Sequence, residues 1–462
     1  MLQKFVLSAF LSVALLAQQT APPVHEKAGA FFVVHCHGGD EVMATRALAA
    51  VEPVWPLVAA AFGTPEAKPK RPLAVHLYRT IADYAAADRE LTNGKFQRNL
   101  AMTHWDSNSA HVAVQPPCSD ETLRAIGVPG LTLEMLAWEA CHVARAELAP
   151  NFRQHPMWLV DGLGSSTGRQ VHASSLPAGS GALPTLTTDF VRVQGLQRQK
   201  QMPPASAILA DRIDDLEFLE RYAVRAVFFR FLAASANAPK LGKVLATVRS
   251  KGGGDGYAGE VLAAAKAALG SGLDAAFVKF VEQQKPEWYE VFRSLVPVGK
   301  GYCQIAFPDR NALAWRQEPV RGGGIRIAGR LRILPGDARQ LNVLFGKTEA
   351  GDFYSVAFVA DSGITAFAFR AADDSWQRLG DGNAPALRLG YESTFVVEAK
   401  GDSLRVTLDA QHWDFKLPRA LPDAVVWGLG AQAGRDGATT GTAGLWLDVT
   451  VGPAGAAAKR AR

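Results

Sequence analysis

The residue pattern changes abruptly near residue 300, and this change limits what each half of the chain can fold into. Before it, short apolar segments such as residues 73–77 and 111–114 alternate with longer segments of helical periodicity, such as residues 40–62 and 131–147. After it, apolar and polar residues alternate in short segments separated by turn sequences. A chain of 462 residues is also long for one domain. We therefore predict an α+β protein with a mostly helical N-terminal domain containing a small sheet, and a C-terminal antiparallel β-sandwich.

Periodicity and turn residues give the expected positions of the other elements. Further helices are predicted at residues 216–234, 261–269 and 275–284. Strands are predicted at residues 324–334, 341–345, 353–359, 365–370, 394–399, 403–408 and 444–451. Short strands in this number and at this spacing are typical of a β-sandwich.

The first residues have the pattern of an export signal. Lys4 precedes an apolar run at residues 5–17, and polar residues and prolines follow it. The run is shorter than the roughly 20 apolar residues of a membrane-spanning helix, and no later stretch is long enough either. We therefore predict a signal peptide within residues 1–20, cleaved after Ala17, no membrane span, and a secreted or periplasmic protein.

Charge is spread too thinly along the chain to indicate a nucleic-acid partner. The net charge of +5 is the difference between 49 basic and 44 acidic residues. The one basic cluster lies at residues 459–462, after a stretch rich in glycine and alanine. We predict that residues 453–462 are a disordered tail and that the protein binds no nucleic acid.

The chain has four cysteines: Cys36, Cys118, Cys141 and Cys303. Export permits disulfides, and four thiols allow three pairings, which the sequence does not rank. Buried free thiols are the alternative, since a domain of this size folds without bridges. The spacing is not of the C-x-x-C type, which excludes zinc knuckles and thioredoxin chemistry.

The segment at residues 131–164 carries the most informative chemical pattern. Its apolar spacing predicts a buried helix, which contains Trp138-Glu139-Ala140-Cys141-His142. In zinc peptidases with the sequence H-E-x-x-H, the two histidines bind zinc from one helix face, and the glutamate activates the metal-bound water. Glu139 and His142 stand at the second and last of these positions. Trp138 replaces the first histidine.

This region resembles the gluzincin (peptidase MA-like) metallopeptidase family over about residues 30–290. The sequence Trp158-Leu159-Val160-Asp161-Gly162 is similar to the family's Trp-Leu-x-Glu-Gly segment, and 18 residues separate His142 from Asp161, as in the family. Tyr222 and the strand before the helix also match the family's layout. The resemblance implies a zincin-like domain at residues 28–295, with His142 and Asp161 as remaining metal ligands and Glu139 as the catalytic base only if the protein is active.

Trp138 is the departure from the family that bears on function. An indole has an N–H donor and no lone pair for a metal, whereas a catalytic zinc needs three protein ligands. We therefore predict an inactive domain with no cofactor, in which zinc binds only if other residues complete the site. The alternative is an active zinc metallopeptidase with a non-standard ligand set. The residues considered for such a set, or for a Cys141/His142 dyad, are Cys141, His104, His111, His155 and the cluster His35-Cys36-His37.

Residues 320–452, within a predicted domain at residues 302–452, resemble the concanavalin A-like, laminin G-like jelly-roll modules found beside bacterial secreted hydrolases. The resemblance rests on strand and turn patterns at residues 352–356, 376–379 and 403–409. It implies binding of carbohydrate or protein, or a sugar-active enzyme, although the sequence places no glycosidase pair of carboxylates. We predict that Trp376 and Trp413 are exposed and able to stack on a sugar ring. Three further tryptophans are predicted to fill the core: Trp315, Trp427 and Trp446.

These patterns together predict an exported pseudoenzyme that binds a protein, a peptide or a surface glycan.

Overall fold

The computed structural model describes residues 23–126, 128–149, 151–175, 184–234, 236–250, 257–291, 295–298, 301–384, 387–434, 438–455 and 459–460. The predicted signal peptide lies outside these residues. The described chain combines helices with antiparallel sheets, which confirms the α+β class.

The N-terminal half contains one sheet and a set of helices. Its strands are β1 (Val24–Ala28), β2 (Phe32–His37), β3 (Leu73–Tyr78), β4 (Ala101–His104) and β5 (Ser109–Ala113). Its helices are α1 (Glu41–Val51), α2 (Val54–Ala61), α3 (Ile81–Thr92), α4 (Asp120–Ile126), α5 (Gly130–Leu148), α6 (Met157–Ser175), α7 (Pro184–Arg198), α8 (Ala205–Leu209), α9 (Phe218–Ala233), α10 (Ala238–Ser250), α11 (Tyr257–Leu269) and α12 (Leu273–Glu282).

The N-terminal sheet has the strand order β1-β2-β3-β5-β4. Strands β2, β3 and β5 are parallel, and β1 and β4 are antiparallel edge strands. Because side chains alternate along a strand, one sheet face presents apolar residues such as Val34, Val75 and Val112 to the main core. Helices α1, α2 and α5 contribute to the same core. This packing places α5 beside β4 and β5.

The helix predicted at residues 40–62 is broken into α1 and α2. Asp40 caps α1 by accepting a hydrogen bond from the Met43 backbone N–H at 2.8 Å. Pro53 lies between the two helices. A proline interrupts a helix because it lacks an N–H and its ring clashes with the preceding turn.

Among the described residues, the run Glu41–Ala61 is the one helical stretch long and apolar enough to cross a membrane by itself. The bent pair Gly259–Leu269 and Leu273–Glu282 passes the same test only if it is counted as one span. Half of the first run is buried inside the protein.

The C-terminal half is a β-sandwich. Its strands are β6 (Trp288–Val291), β7 (Leu295–Val298), β8 (Gly301–Ile305), β9 (Ala312–Arg316), β10 (Val320–Arg321), β11 (Gly324–Leu334), β12 (Gln340–Phe345), β13 (Phe353–Val359), β14 (Gly363–Arg370), β15 (Ser375–Asn383), β16 (Glu392–Lys400), β17 (Ser403–Leu408), β18 (Gln411–Lys416), β19 (Ala424–Val425), β20 (Trp427–Ala431), β21 (Ala443–Gly452) and β22 (Lys459–Arg460). A seven-stranded sheet, β15-β14-β13-β12-β20-β9-β6, packs on an eight-stranded sheet through a shared apolar core. The second sheet has the strand order β18-β17-β16-β11-β21-β8-β7, and its eighth strand, β22, pairs with part of β21.

The sequence predicts the strands in the middle of the sandwich domain well. It predicts the first and last strands of the domain less well. The strands predicted at residues 324–334, 353–359 and 403–408 coincide with β11, β13 and β17. Strands β6 and β7 are hydrogen-bonded into the two sandwich sheets, so the sandwich begins before the predicted residue 302. The predicted disordered tail is also corrected in part, because β22 pairs with β21.

The two halves share buried contacts. Four sandwich residues belong to the core of the N-terminal half: Cys303, Ile305, Leu334 and Ala443. The hydroxyls of Ser119 and Thr122 donate to the carbonyl oxygen of Pro335 at 2.6 and 3.3 Å. All four cysteines are buried and free, which agrees with the alternative of unbridged thiols.

Candidate functional site

The predicted site centres on α5, which is buried along most of its length. Trp138 and His142 lie four residues apart, so their side chains meet on one helix face. The Trp138 indole Nε1–H donates to His142 Nε2 at 2.9 Å. Both residues are buried, with 7% and 8% of their surfaces exposed. The nitrogen of His142 that would face a metal ion therefore accepts a hydrogen bond from the residue that replaces the first ligand.

Helix α6 approaches α5 closely because two glycines face it. A Cβ atom on Gly164 would lie 3.0 Å from Trp138 Nε1, and one on Gly168 would lie 2.9 Å from the Glu134 carbonyl oxygen. Both distances are too short for an ordinary contact without movement of the neighbour. These glycines let α6 bring Asp161 to the same cleft as Trp138 and His142.

Asp161 is paired with an arginine of α9. Its Oδ2 accepts from Arg225 Nη1, on α9, at 2.9 Å. Burial raises the pKa of Asp161 to about 6, and Arg225 opposes the rise. Arg225 was not among the residues predicted from the sequence. The sequence feature that could have indicated it is a single arginine within an apolar stretch of α9.

Glu139 lines the same cleft and is hydrogen-bonded to a residue of the edge strand β4. The Thr103 hydroxyl donates to Glu139 Oε2 at 2.6 Å. Burial raises the pKa of Glu139 to about 7, although the Thr103 hydrogen bond lowers it. The carboxyl group is therefore partly protonated at neutral pH.

His142 is held neutral. Burial is the main cause that lowers its pKa to about 3, and the charge of Arg145 adds to it. Since Nε2 accepts the Trp138 hydrogen bond, the ring proton of the neutral form is on Nδ1. Among the described residues, none is hydrogen-bonded to that Nδ1 atom.

The cleft beside these side chains has a volume of about 450 Å³ and includes residues from both halves. Phe218 and Leu219, at the start of α9, are 63% and 51% exposed along its wall. Phe307 and Arg310, from the turn between β8 and β9, supply the sandwich part of the lining. The apolar lining also contains Met135, Trp138 and Tyr222, whose ring centroid is 5.7 Å from that of Trp138.

The residues present do not fit a zinc ion. Within the described part of the chain, no three His, Cys, Asp or Glu side chains are grouped so that they could hold a metal. The Trp138 N–H is directed at His142 Nε2, and Arg225 is bonded to Asp161. An ion at this point would have to displace one hydrogen bond and one buried ion pair while gaining two ligands from these residues.

The other side chains considered as donors lie elsewhere. Cys141 is fully buried in the main core, and His155 is 2.9 Å from Arg145 Nη1. His104 contacts Ser107 on the loop between β4 and β5. The remaining candidates are on the sheet or its outer face: His35, Cys36, His37 and His111. The structure does not bring any of them to Trp138 and His142.

Removing the charge of Glu139 is expected to stabilise the protein at alkaline pH. The pKa of Glu139 is higher in the folded state, so the unfolded chain releases a proton that the folded protein keeps. Stability therefore falls as pH rises from about 4.5 to above 7. We expect the free energy of unfolding of Glu139→Gln to exceed that of wild type by about 2–3 kcal/mol at pH 8 and to equal it near pH 4.5. Urea unfolding of wild type and variant at both pH values measures this. The same difference in free energy of unfolding at the two pH values would contradict it.

The sandwich has one exposed aromatic of the predicted kind. Trp376, on β15, is 49% exposed, and its ring centroid lies 4.8 Å from that of Phe369. Trp413 is only partly exposed and packs on Gly382, where a Cβ atom would lie 2.5 Å from its ring, so its predicted role as an exposed platform is wrong. The three tryptophans predicted for the core are buried: Trp315, Trp427 and Trp446.

Comparisons with solved structures give weak likenesses that cover about a third of this chain. No family model and no curated protein matches the chain. A carbohydrate-binding module, CBM66 of Bacillus subtilis, is 14% identical over 36% of this chain and 95% of its own, with a TM-score of 0.30. The exoplasmic/lumenal domain of VIP36 is 11% identical over 37% of this chain and 87% of its own, with a TM-score of 0.29. Galectin-Ib of Xenopus laevis is 15% identical over 31% and 99%, with a TM-score of 0.23. At these scores we base no functional argument on the likeness.

Proposed function

We propose that this chain is an exported, non-catalytic binding protein whose N-terminal half is a metallopeptidase-like domain with protein groups at the metal position. The hydrogen bond of 2.9 Å from Trp138 to His142 carries this proposal. The Arg225–Asp161 pair supports it, because the guanidinium supplies the positive charge that a metal would otherwise supply. The edge strand that the sequence indicated at residues 111–114 falls in β5, inside the sheet, and the edge strand beside α5 is β4 instead.

The cleft suits a peptide or a protein segment with a large apolar side chain. Exposed Phe218 and Leu219 stand beside Trp138 and Tyr222, so the wall offers contiguous apolar surface. Three acidic side chains line the cleft, and each is neutralised within the protein: Asp161 by Arg225, Asp189 by Arg169, and Glu139 by partial protonation. Three arginines also line it: Arg98, Arg192 and Arg310. A ligand would therefore be held by apolar contacts and by hydrogen bonds from these arginines, with no hydrolytic step.

We expect the mature protein to bind no stoichiometric zinc and to leave casein and short peptides uncleaved. The reason is that His142 and Asp161 are both engaged, and two ligands are one fewer than a catalytic zinc requires. Elemental analysis after dialysis, with a peptide cleavage assay in added zinc, tests this. About one zinc per chain that is lost in His142→Ala would favour the active metallopeptidase with a non-standard ligand set.

The exposed tryptophan of the sandwich favours glycan binding as a second function. Trp376 packs against Phe353 and Phe369, whose ring centroids lie 5.5 and 4.8 Å from its own. The two phenylalanines also line a depression of about 300 Å³ with the ion-paired Asp352 and Arg419, whereas Trp376 itself does not line it. The half-exposed indole is the surface on which a sugar ring would stack. It is consistent with the jelly-roll, concanavalin A-like module that the sequence resembles.

A glycan array with the full-length protein tests the second function. For a glycan that binds, we expect Trp376→Ala to weaken binding about tenfold or more, because the stacking surface is lost. Trp376→Phe should retain most of the affinity, and Trp413→Phe, which alters a packed ring, serves as the control. Equal binding by Trp376→Ala and wild type would exclude this platform.

A further inference from the structure

The N-terminal sheet carries a second polar site on the face opposite its apolar core. Side chains alternate along β2, β3 and β5, so His35, His76 and His111 stand side by side on neighbouring strands. Their rings are stacked, with centroids 4.8 Å apart for His35 and His76 and 4.5 Å apart for His76 and His111. The last two rings are nearly parallel, at 3°. This histidine row is not part of the cleft at Trp138.

The ring nitrogens of His76 and His111 are hydrogen-bonded to His37 and to hydroxyl groups. His37 Nε2 lies 3.0 Å from His76 Nδ1. His111 Nδ1 contacts the Tyr78 hydroxyl at 2.9 Å, and its Nε2 contacts the Ser109 hydroxyl at 2.8 Å. Because stacked rings hold their lone pairs in parallel planes, the nitrogens do not converge on one point, which agrees with the lack of a metal-binding group in the described residues.

A cleft of about 510 Å³ lies between the histidine row and α3. Asp83 and Glu90, seven residues apart on α3, are on the helical wall of this cleft. The sheet wall supplies five polar or aromatic side chains: His37, His76, Tyr78, Ser109 and His111. The remaining lining residues are alanines, a leucine and Ser107. The lining therefore contains two carboxylates and neither lysine nor arginine.

His76 and His111 add no positive charge to this cleft at neutral pH. Burial lowers the pKa of His76 to about 3 and that of His111 to about 3, and the neighbouring histidines lower both further. When the proton of the His37–His76 bond is on His76 Nδ1, the Nε2 atom of His76 keeps a lone pair. The cleft thus offers hydrogen-bond acceptors and negative charge together.

We propose that this cleft binds an organic cation through an alkylammonium or guanidinium group, placed between the carboxylates of α3 and the rings of His76 and His111. Such a group has several N–H donors, a positive charge and a carbon stem. The N–H donors can form hydrogen bonds with the acceptor nitrogens and hydroxyls. The positive charge can pair with Asp83 and Glu90, and the carbon stem can pack on Ala87 and Leu91. The site is separate from the proposed function and stands if that function fails.

Calorimetric titration of the full-length protein with arginine amide tests the proposal, with citrulline amide as the neutral probe of the same shape. We expect arginine amide to bind at least about tenfold more tightly than citrulline amide. Asp83→Asn with Glu90→Gln should weaken arginine amide binding about tenfold or more. Glu121→Gln, which removes one exposed carboxylate from α4, is the matched control and should leave binding unchanged.

A second measurement separates this site from general attraction of cations to the protein. Long-range proton–nitrogen spectra of the imidazoles should show the His76 nitrogens shifting on addition of arginine amide, and His412 in the sandwich should not respond. Equal affinity for the two amides, or unchanged affinity in the Asp83→Asn, Glu90→Gln variant, would overturn the proposal. Failure of His76 to respond in a protein that does bind arginine amide would overturn it as well.

Discussion

Arg225→Met is expected to lower the free energy of unfolding by about 3–5 kcal/mol, because it leaves the Asp161 carboxyl buried without its cation. Both side chains are at least nine-tenths buried, so water cannot replace the lost partner. The pKa of Asp161 should rise further, and the loss should therefore be larger at pH 8 than at pH 5. Urea unfolding at the two pH values measures both effects.

A double variant distinguishes loss of the pair from loss of packing. Arg225→Met combined with Asp161→Leu removes both charges, and replacing a buried ion pair by apolar groups is often close to neutral. We therefore expect the double variant to recover most of the stability that Arg225→Met loses. Free energies that simply add in the double variant would show that the two side chains are not coupled.

Trp138→His with Asp161→Glu is expected to create a zinc-dependent protein. Position 138, His142 and position 161 line one cleft, and Glu139 already stands beside them. Removal of the buried indole should cost about 3–5 kcal/mol in the absence of metal. Bound zinc should offset this loss, since a ligand of the folded state adds RT ln(1 + [L]/Kd) to stability.

Arg225 is the obstacle to this conversion, because it holds the carboxylate that would become a ligand. Adding Arg225→Met should therefore strengthen the response of the melting temperature to zinc. Thermal unfolding of wild type and both variants, in chelator and in zinc, measures the effect. If the variants fold and none gains stability from zinc, the two helices do not converge on a metal position. The structure would then not support the gluzincin resemblance.

Local patterns predicted the secondary structure well and the site only in part. Alternating residues placed β11, β13 and β17 correctly, and apolar spacing placed α5. The break at Pro53 was missed because the apolar pattern continues across it.

Contacts between distant segments were beyond this kind of prediction. Arg225 lies 64 residues after Asp161, and Thr103 lies 36 residues before Glu139. Nothing in the periodicity of either segment indicates that they pair. The histidine row depends in the same way on the register of three parallel strands, since a slip by one residue would move His76 to the opposite face.

The contacts of Ser119 and Thr122 with Pro335, and the core residues that the halves share, bear on how the protein resists proteolysis. Neither half can open fully without exposing apolar surface of the other. A protease that cleaves only opened chain must then wait for an unfolding event that involves both halves. The resistance of each half to proteases should thus depend on the contacts between the halves, and substitutions at Leu334 or Ala443 should speed cleavage of the N-terminal half although they lie in the sandwich.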